Sequence, residues 1–361
     1  MRRQMYSDLR AGRLGDCWAA LGRLERQGRL IAEDWMVRAR IEQLQSRPAD
    51  ALDSLRRVDD RKPLAAQARL MSGLIELGRC RARAAEVALQ RAIELDPGQA
   101  AARLELVQLY SRQQRFAELD AQLSALADRD QLDFDHMRFW RMTRSAPWSA
   151  KDDVATLERY VEADPEDRWS RLALAEGLRR LGRADQAERL LQPLPDVDPE
   201  ARALRAQLAL NQGDLERVER LLAGGQAEHA RLAQLRGQLA LKAGHPAAAL
   251  HHFQAAYTAQ PDDCINLSGL VTALRETGQD KAAEPFLAQI RHYNAMPALV
   301  DRLLAAKAGT DADLQRRLGS LCEAIGRPSE ARGWYRLATK SDPLDSEAQQ
   351  ALFRLGPDFR R

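Results

Sequence analysis

The chain has 361 residues, of which 45% are hydrophobic and 30% are charged, and its formal net charge at pH 7 is +3. The hydrophobic content is enough for a core, but no apolar run approaches the 18 or more residues of a membrane span, and the net charge is too small for a dedicated nucleic-acid-binding protein. Four scattered cysteines without a CxxC pair, and a start that is basic but not apolar, disfavour a disulfide framework and a signal peptide.

A fixed spacing runs through the first half of the chain. Six positions follow one another at intervals of 34 residues, and most carry small or apolar side chains: Cys17, Ala51, Ala85, Leu119, Asp153 and Ala187. Five alanines in the whole chain are each followed by a proline twelve residues later: Ala51, Ala85, Ala187, Ala249 and Ala331. A constant period of this length indicates tandem structural repeats.

Each repeat is predicted to hold two helices. Between Ala249 and Pro261, small and large residues alternate at three- and four-residue steps, which places them on one face of a helix that ends at the proline. Upstream of each alanine, a second amphipathic run closes at a glycine that can cap a helix in the left-handed conformation, as in Leu232 to Gly244. Each unit is therefore helix, tight turn, helix and exit turn.

In this register the chain resembles the tetratricopeptide repeat family, whose pattern has a small residue, two alanines, a large residue and a proline at fixed positions. One copy matches it at Gly237, Ala249, Phe253, Ala256 and Pro261, and another at Gly319, Ala331, Tyr335, Ala338 and Pro343. The resemblance implies an all-α, right-handed solenoid of helix-turn-helix repeats, with the first helix of each repeat on a concave face.

The repeats are predicted to form one continuous array over residues 1–361. In chain order, its segments are a partial first repeat at 1–31, repeats at 32–133, a degenerate repeat at 134–167, repeats at 168–294, an inserted helix at 295–311, a last repeat at 312–344, and a C-terminal capping helix and tail at 345–361. Two steps are shortened to 31 residues around Gly224 and Gly225, and Met296 to Ala308 is predicted to be the inserted helix. Because the first repeat begins inside a unit, a missing upstream segment, or self-association through this end, is expected.

A candidate partner-binding groove follows from the resemblance, because the first helices face the concave side in this family. The last turns of these helices carry a ladder of cations, with polar side chains and one aromatic residue on the same face. The predicted groove residues are Gln108, Arg112, Trp169, Glu176, Arg179, Arg180, Gln207, Asn211, Gln238, Lys242, Thr272 and Arg275. The ladder suits an acidic or extended peptide, although the helix macrodipole favours cations at these positions without any ligand.

Three other features have a structural and a functional interpretation. The segment Phe134 to Ala150 concentrates Phe134, Phe139, Trp140 and Trp148 in a chain poor in aromatics, which favours packing of a degenerate repeat over a binding hot spot. The turn with Arg79, Arg81 and Arg83 is a solvated turn or an anionic docking loop. His245, His251 and His252 lack metal-ligand spacing, so solvated helix surface is favoured over a metal site.

No catalytic motif is present, and we therefore expect a non-catalytic scaffold that binds a protein or peptide partner, with an acidic partner as one option. The alternative is an accessory or regulatory part of a larger enzyme or of a secretion or assembly system. No catalytic residue, metal, cofactor or nucleic-acid partner is predicted. The expected location is cytoplasmic, or exported or membrane-tethered if an upstream segment is missing.

Overall fold

The computed structural model describes residues 2–145, 150–223, 229–305 and 309–356. Throughout these ranges the regular secondary structure is α-helical, and no strand occurs in them. The all-α class and the tandem helix pairs predicted from the sequence are confirmed.

The helices follow one another in antiparallel pairs. In the first half they are α1 (Arg2–Arg10), α2 (Leu14–Arg26), α3 (Ala32–Leu44), α4 (Pro48–Arg56), α5 (Ala65–Gly78), α6 (Ala82–Leu95), α7 (Ala100–Arg112), α8 (Phe116–Asp128), α9 (Phe134–Ser145) and α10 (Ala150–Ala163). In the second half they are α11 (Arg168–Arg180), α12 (Ala184–Leu191), α13 (Pro199–Gln212), α14 (Leu215–Ala223), α15 (Ala230–Lys242), α16 (Pro246–Ala259), α17 (Cys264–Glu276), α18 (Asp280–Ala305), α19 (Ala312–Ala324), α20 (Pro328–Ser341) and α21 (Ser346–Arg354). Odd-numbered helices are the first, and even-numbered helices the second, of each pair.

The chain divides into two compact units. Unit 1 comprises Met1–Gln122 and Thr156–Ser170, and unit 2 comprises Leu123–Ala155 and Arg171–Arg361. The boundaries between them fall inside α8, α10 and α11. The prediction of one continuous array, with the segment boundaries given above, stays a prediction.

The predicted alanine positions lie in the second helix of each pair and are buried there. Cys17, Ala51, Ala85, Ala187, Ala249 and Ala331 all have 0% of their surface exposed. Leu119 and Val218, in less regular copies, are also fully buried, whereas Asp153 in α10 is only half-buried. The 34-residue spacing therefore marks the positions where the helices of a pair come closest. Where the residue at this position is polar, as at Asp153, it is partly exposed.

Glycine in the first helix makes room for a large residue of the second. A Cβ atom on Gly237 would lie 2.8 Å from the ring of Phe253, and one on Gly319 would lie 2.8 Å from the ring of Tyr335. Both distances are shorter than van der Waals contact allows, so any larger residue would force the aromatic ring out of its place. The small-and-large pattern read from the sequence is this interlock.

The tight turns inside the pairs are as predicted. Gly244, Gly278 and Gly326 follow α15, α17 and α19 with φ between 73° and 76°, in the left-handed region that caps a helix. In all three of these turns, the amide of the following residue bonds back to the helix, as His245 does to the carbonyl oxygen of Ala240 at 2.8 Å. These bonds satisfy carbonyls that the helix end would otherwise leave open.

The predicted inserted helix at 295–311 is wrong as a separate element. Residues 296–305 instead continue α18, which runs without a break from Asp280 to Ala305 and contains Pro285 and Pro297. Each proline removes one backbone hydrogen bond, but the buried side chains of Met296, Val300 and Leu303 keep the segment packed. The predicted terminal helix is present as α21, while Gly224, Gly225 and Trp148 lie outside the described residues.

Candidate functional site

The predicted groove residues are shared between the two units. Gln108, Arg112 and Trp169 belong to unit 1, and the other nine belong to unit 2, where they lie on α11, α13, α15 and α17. Within unit 2, α13 packs against α15 and α15 packs against α17, so these first helices are direct neighbours. The candidate site in unit 2 is therefore a face made of successive first helices, which we call the first-helix face.

The strongest feature of this face is a glutamate held by arginines. Glu176 is 4% exposed, and its two carboxylate oxygens accept hydrogen bonds of 2.8 Å from Nη2 and Nε of Arg179. Arg180 Nε donates to the same carboxylate at 2.7 Å, and Arg231 Nη2 on α15 lies 3.7 Å from it. Three guanidinium groups therefore converge on one buried carboxylate.

Electrostatics explain why Glu176 tolerates burial. Burial by itself raises the pKa of the carboxyl group, but the hydrogen bond from Arg179 and the charges of Arg231 and Arg179 outweigh it and lower the pKa of Glu176 to about 2. The carboxylate is thus ionised at neutral pH, and it fixes the arginine side chains in one arrangement.

Arg179 is committed to this internal network. With the side-chain amide of Asn211 on α13 turned so that its oxygen faces Arg179, that oxygen accepts from Arg179 Nη1 at 3.0 Å, and the amide nitrogen donates to the carbonyl oxygen of Gln207 at 3.2 Å. The guanidinium of Arg179 thus bonds Glu176 through one edge and Asn211 through the other. Glu176, Arg179, Gln207 and Asn211 form a polar link between α11 and α13.

The cations further along the first-helix face are exposed to solvent. Lys242 at the end of α15 and Arg275 at the end of α17 are exposed, and within the described part of the chain neither lies within ion-pair distance of a carboxylate. Gln238 is half-buried, while Thr272 is exposed and its hydroxyl donates to the carbonyl oxygen of Ser268 at 2.9 Å. Lys242 and Arg275 are the cations that this face presents to solvent without an internal partner among the described residues.

In unit 1, the predicted aromatic contact is engaged in packing. The half-buried ring of Trp169 lies 4.8 Å from the guanidinium carbon of Arg115 and 4.2 Å from that of Arg168. Arg115 also lies over the ring of Tyr110 at 4.4 Å and donates to both oxygens of Glu86, at 2.7 and 2.8 Å. Trp169 is thus one wall of a buried arginine site.

The other two predicted groove residues of unit 1 differ in exposure. Gln108 is exposed, and Arg112 bonds the hydroxyl of Tyr160.

Two arginines were missed by the sequence argument. Arg231 lies in the first turn of α15, whereas the predicted ladder of cations lies in the last turns of the first helices. Arg115 precedes α8, the second helix of the copy that carries Leu119 in place of alanine. The signal that would have found Arg231 is Glu176, because an acidic residue buried in a helix needs cations from neighbouring helices as well as its own.

The aromatic segment, the arginine-rich turn and the histidines are each engaged in contacts within the protein. Met137 and Trp140 in α9 are buried, which agrees with packing for the 134–150 segment. Arg83 pairs with Asp164 at 3.0 Å, and Arg79 lies 3.4 Å from Glu76. His251 and His252 stack edge to face, and burial together with the neighbouring charge of His251 lowers the pKa of His252. Among the described residues, no group of histidine, cysteine and acidic side chains is arranged to hold a metal ion.

The fold and this face define an α-helical repeat protein with an exposed polar surface on its first helices. Two family models, both described as tetratricopeptide repeat, match residues 196–352 and 154–208. The chain belongs to the tetratricopeptide repeat family. This class of repeat is in general a non-catalytic scaffold for protein interactions.

A curated relative covers much of the chain. Cellulose synthase operon protein C of Xanthomonas axonopodis pv. citri (strain 306) is 28% identical over 289 residues, and the match covers 70% of this chain and 19% of the relative. The chain therefore spans about a fifth of the length of this relative.

Solved structures of repeat proteins are also similar. A tetratricopeptide repeat protein from Parabacteroides merdae is 15% identical with a TM-score of 0.34, and the match covers 67% of this chain and 98% of that one. In the Cut9–Hcn1 hetero-tetramer of the APC/C, the matching chain is 13% identical with a TM-score of 0.37, over 97% of this chain and 88% of that one. In the described part of the chain, no helix combines the length and the hydrophobicity needed to cross a membrane.

Proposed function

We propose that the chain is a non-catalytic scaffold whose first-helix face in unit 2 binds an extended, acidic segment of a partner protein. The observation that carries this proposal is the pair Lys242 and Arg275, two exposed cations on neighbouring first helices without an internal carboxylate among the described residues. The polar side chains of Gln238 and Thr272 lie on the same helices and would bond the peptide backbone.

The arginines around Glu176 would border this site. Two of them, Arg180 and Arg231, have side chains that are 41% and 40% exposed, so a partner carboxylate can approach the edge of the cluster. Glu176 holds these side chains in place before a ligand arrives, which lowers the entropy lost on binding. Rim charges of this kind also accelerate encounter with an oppositely charged partner.

The test is to reverse the two exposed cations and measure peptide binding. In fluorescence anisotropy with a labelled hexaglutamate peptide, Lys242→Glu/Arg275→Glu is expected to weaken binding about tenfold, or about 1.4 kcal/mol. Arg179 is a poor choice for this test because a glutamate there would stand beside Glu176 and destabilise the cluster itself.

A matched control separates the face from general charge. Arg220→Glu/Lys281→Glu makes the same change in net charge at exposed positions on α14 and α18, which are second helices. Binding should stay within about twofold of the original chain in this control. Equal losses in both variants would mean unspecific attraction, and no loss in Lys242→Glu/Arg275→Glu would refute the proposed face.

A second candidate is an accessory role in an assembly for polysaccharide synthesis or export. It is supported by the 28% identity to cellulose synthase operon protein C over 289 residues. Under this proposal the acidic partner is a protein of such an assembly. Affinity purification from cells with the original chain and with Lys242→Glu/Arg275→Glu would test it, because the assembly protein should be retained by the first and lost from the second.

We also propose a cytoplasmic location for the chain on its own, and an exported or tethered one if a longer native protein supplies an upstream signal. Fractionation of cells that express the native protein, followed by detection with an antibody against the chain, distinguishes the two.

A further inference from the structure

The degenerate repeat contacts the last repeat of unit 2. Helix α9 packs against α20, although about two hundred residues of sequence separate them. The contact also involves α18, because Arg141 of α9 lies 3.2 Å from the sulfur of Met296 and over the ring of Tyr293 at 5.5 Å. This face of α18 and α20, with Gly309 between them in sequence, is called the seat of α9 below.

The seat is complementary in shape to large side chains of α9. Phe134 fits so closely against Gly309 that a Cβ atom there would overlap its ring, and it meets Trp334 edge to face with ring centroids 6.3 Å apart. One turn further along α9, Met137 lies over Gly333, where a Cβ atom would be 2.5 Å from the sulfur. Met137, Trp140 and Trp334 are each at most 1% exposed. Two glycines of the seat thus accept two large side chains of α9.

The contact buries a carboxylate of α20 that has one arginine near its own helix and one on α9. Glu330 of α20 is 1% exposed and has Arg327, from the N-terminal end of its own helix, at 2.9 Å. Arg141 of α9 is 2% exposed and lies 3.7 Å from the same carboxylate. If α9 leaves the seat, Glu330 keeps its partner Arg327, and Arg141 regains water. Separation therefore leaves no buried charge alone, which is the usual obstacle to opening a buried ionic contact.

Two ion pairs lie at the edge of the contact, where α8 ends. Asp128 accepts from Arg332, and Asp130 lies 2.8 Å from the ammonium nitrogen of Lys340. Both members of the second pair are half exposed, so the pair is accessible to reagents. An exposed pair adds little to stability, but it reports whether the two segments are together.

We propose that the seat on α18 and α20 is a helix-binding site whose occupant is α9 of the same molecule, and that α9 enters and leaves it reversibly while the repeats stay folded. Apolar burial of Phe134, Met137 and Trp140 favours the closed form. Hydration of Arg141 favours the open form. Because these two contributions oppose each other, α9 leaves the seat at a lower cost in free energy than global unfolding requires. We call the contact between α9 and its seat the clasp. This inference does not depend on the proposed peptide binding.

The first test uses the unmodified chain and a zero-length carbodiimide. In the closed form the reagent joins the Asp130 carboxyl group to the Lys340 amine as an amide, and mass spectrometry of the monomer band identifies the joined peptides. The same link found only in a dimer band, or no link in the monomer, overturns the proposal.

The second test measures reversible opening by hydrogen–deuterium exchange. Backbone amides of α9 are expected to exchange at least tenfold faster than those of α15 and α16, because they need only the clasp to open. If α9 exchanges no faster than α15, then α9 leaves only when unit 2 unfolds, and the proposal is wrong.

A glycine variant connects both readouts to the seat. Gly333→Leu fills the space of Met137, and we expect it to reduce the Asp130–Lys340 link at least fivefold and to speed exchange in α9 alone. Gly333→Leu/Met137→Ala returns the space and should restore the link. Gly22→Leu is the matched control, because this helical glycine in α2 has no atom within 4 Å of an added Cβ. A link that survives Gly333→Leu, or that is lost equally in Gly22→Leu, contradicts the assigned seat.

Discussion

Unit 2 uses the same packing device in two regions that differ in sequence separation. In the α15–α16 pair, Gly237 receives the ring of Phe253 from the next helix, while in the α9 contact Gly309 receives the ring of Phe134 from across the unit. Both interlocks place an aromatic ring where any Cβ atom would overlap it. The local one recurs with the repeat and defines the fold. The distant one occurs between two irregular segments and holds them together.

This difference predicts different consequences when each contact is lost. A residue that interlocks the helices of one pair is part of every folded form of that repeat. A residue that joins distant segments is needed only for the form in which they touch. Substitutions in the two regions should therefore separate global stability from local opening.

Phe253→Ala is expected to give the largest effect. The ring is 1% exposed and lies between Gly237 and Gly269, so its removal leaves a cavity that two glycines cannot fill. We expect a loss of about 3–5 kcal/mol in the free energy of unfolding, measured by urea denaturation followed by circular dichroism. A loss below about 1 kcal/mol would mean that the local interlock is not a core contact.

The buried glutamate gives a pH-dependent effect of intermediate size. Because the folded state lowers the pKa of Glu176 from 4.5 to about 2, the ionised group stabilises the fold above pH 4.5, and this contribution disappears as the pH falls through about 2. Glu176→Gln should therefore cost about 3 kcal/mol at pH 7. Near pH 2, the difference from the original chain should fall below about 1 kcal/mol.

Urea denaturation at several pH values measures this difference. Glu216→Gln serves as the control, because Glu216 is exposed on α14 and a change there should stay within about 0.5 kcal/mol. If the difference between Glu176→Gln and the original chain is the same at pH 7 and pH 2, the arginine cluster does not hold an ionised carboxylate.

Phe134→Ala is expected to act locally. Phe134 is half-buried and belongs to the distant contact. Its loss should lower the free energy needed to open the clasp by about 1–2 kcal/mol, and the unfolding midpoint of the remaining repeats should stay almost unchanged. Faster exchange confined to α9, seen by hydrogen–deuterium exchange, checks this. A drop in global stability equal to that of Phe253→Ala would remove the distinction between the two regions.

The smallest effect on stability is expected on the first-helix face. Lys242→Glu/Arg275→Glu changes two exposed side chains without internal carboxylate partners among the described residues, so its unfolding free energy should stay within about 0.5 kcal/mol of the original chain. Thermal unfolding followed by circular dichroism measures this. A larger shift would mean that these cations serve the fold, and that a binding defect in this variant could not be assigned to the face.

The sequence alone determined the helix pairs and the residues that interlock inside them. Ala249, Phe253 and Gly237 lie within one repeat, where helix periodicity and a glycine turn decide which faces meet. Short-range contacts of this kind depend on spacing along the chain, and spacing is visible in a sequence. For the same reason the register persists in copies with a changed residue, such as Val218.

Only the tertiary structure decided the state of the charged and irregular residues. Arg179 is predicted as a groove cation, but it is bound to Glu176 and Asn211, because α13 supplies an acceptor that no pattern within α11 reveals. Pro285 and Pro297 do not end α18, because tertiary burial offsets the lost backbone bonds. The α9 contact joins segments whose distance in the sequence carries no information about their distance in space. Periodicity fixes neighbours within a repeat, and side-chain networks between distant helices depend on where the fold brings them.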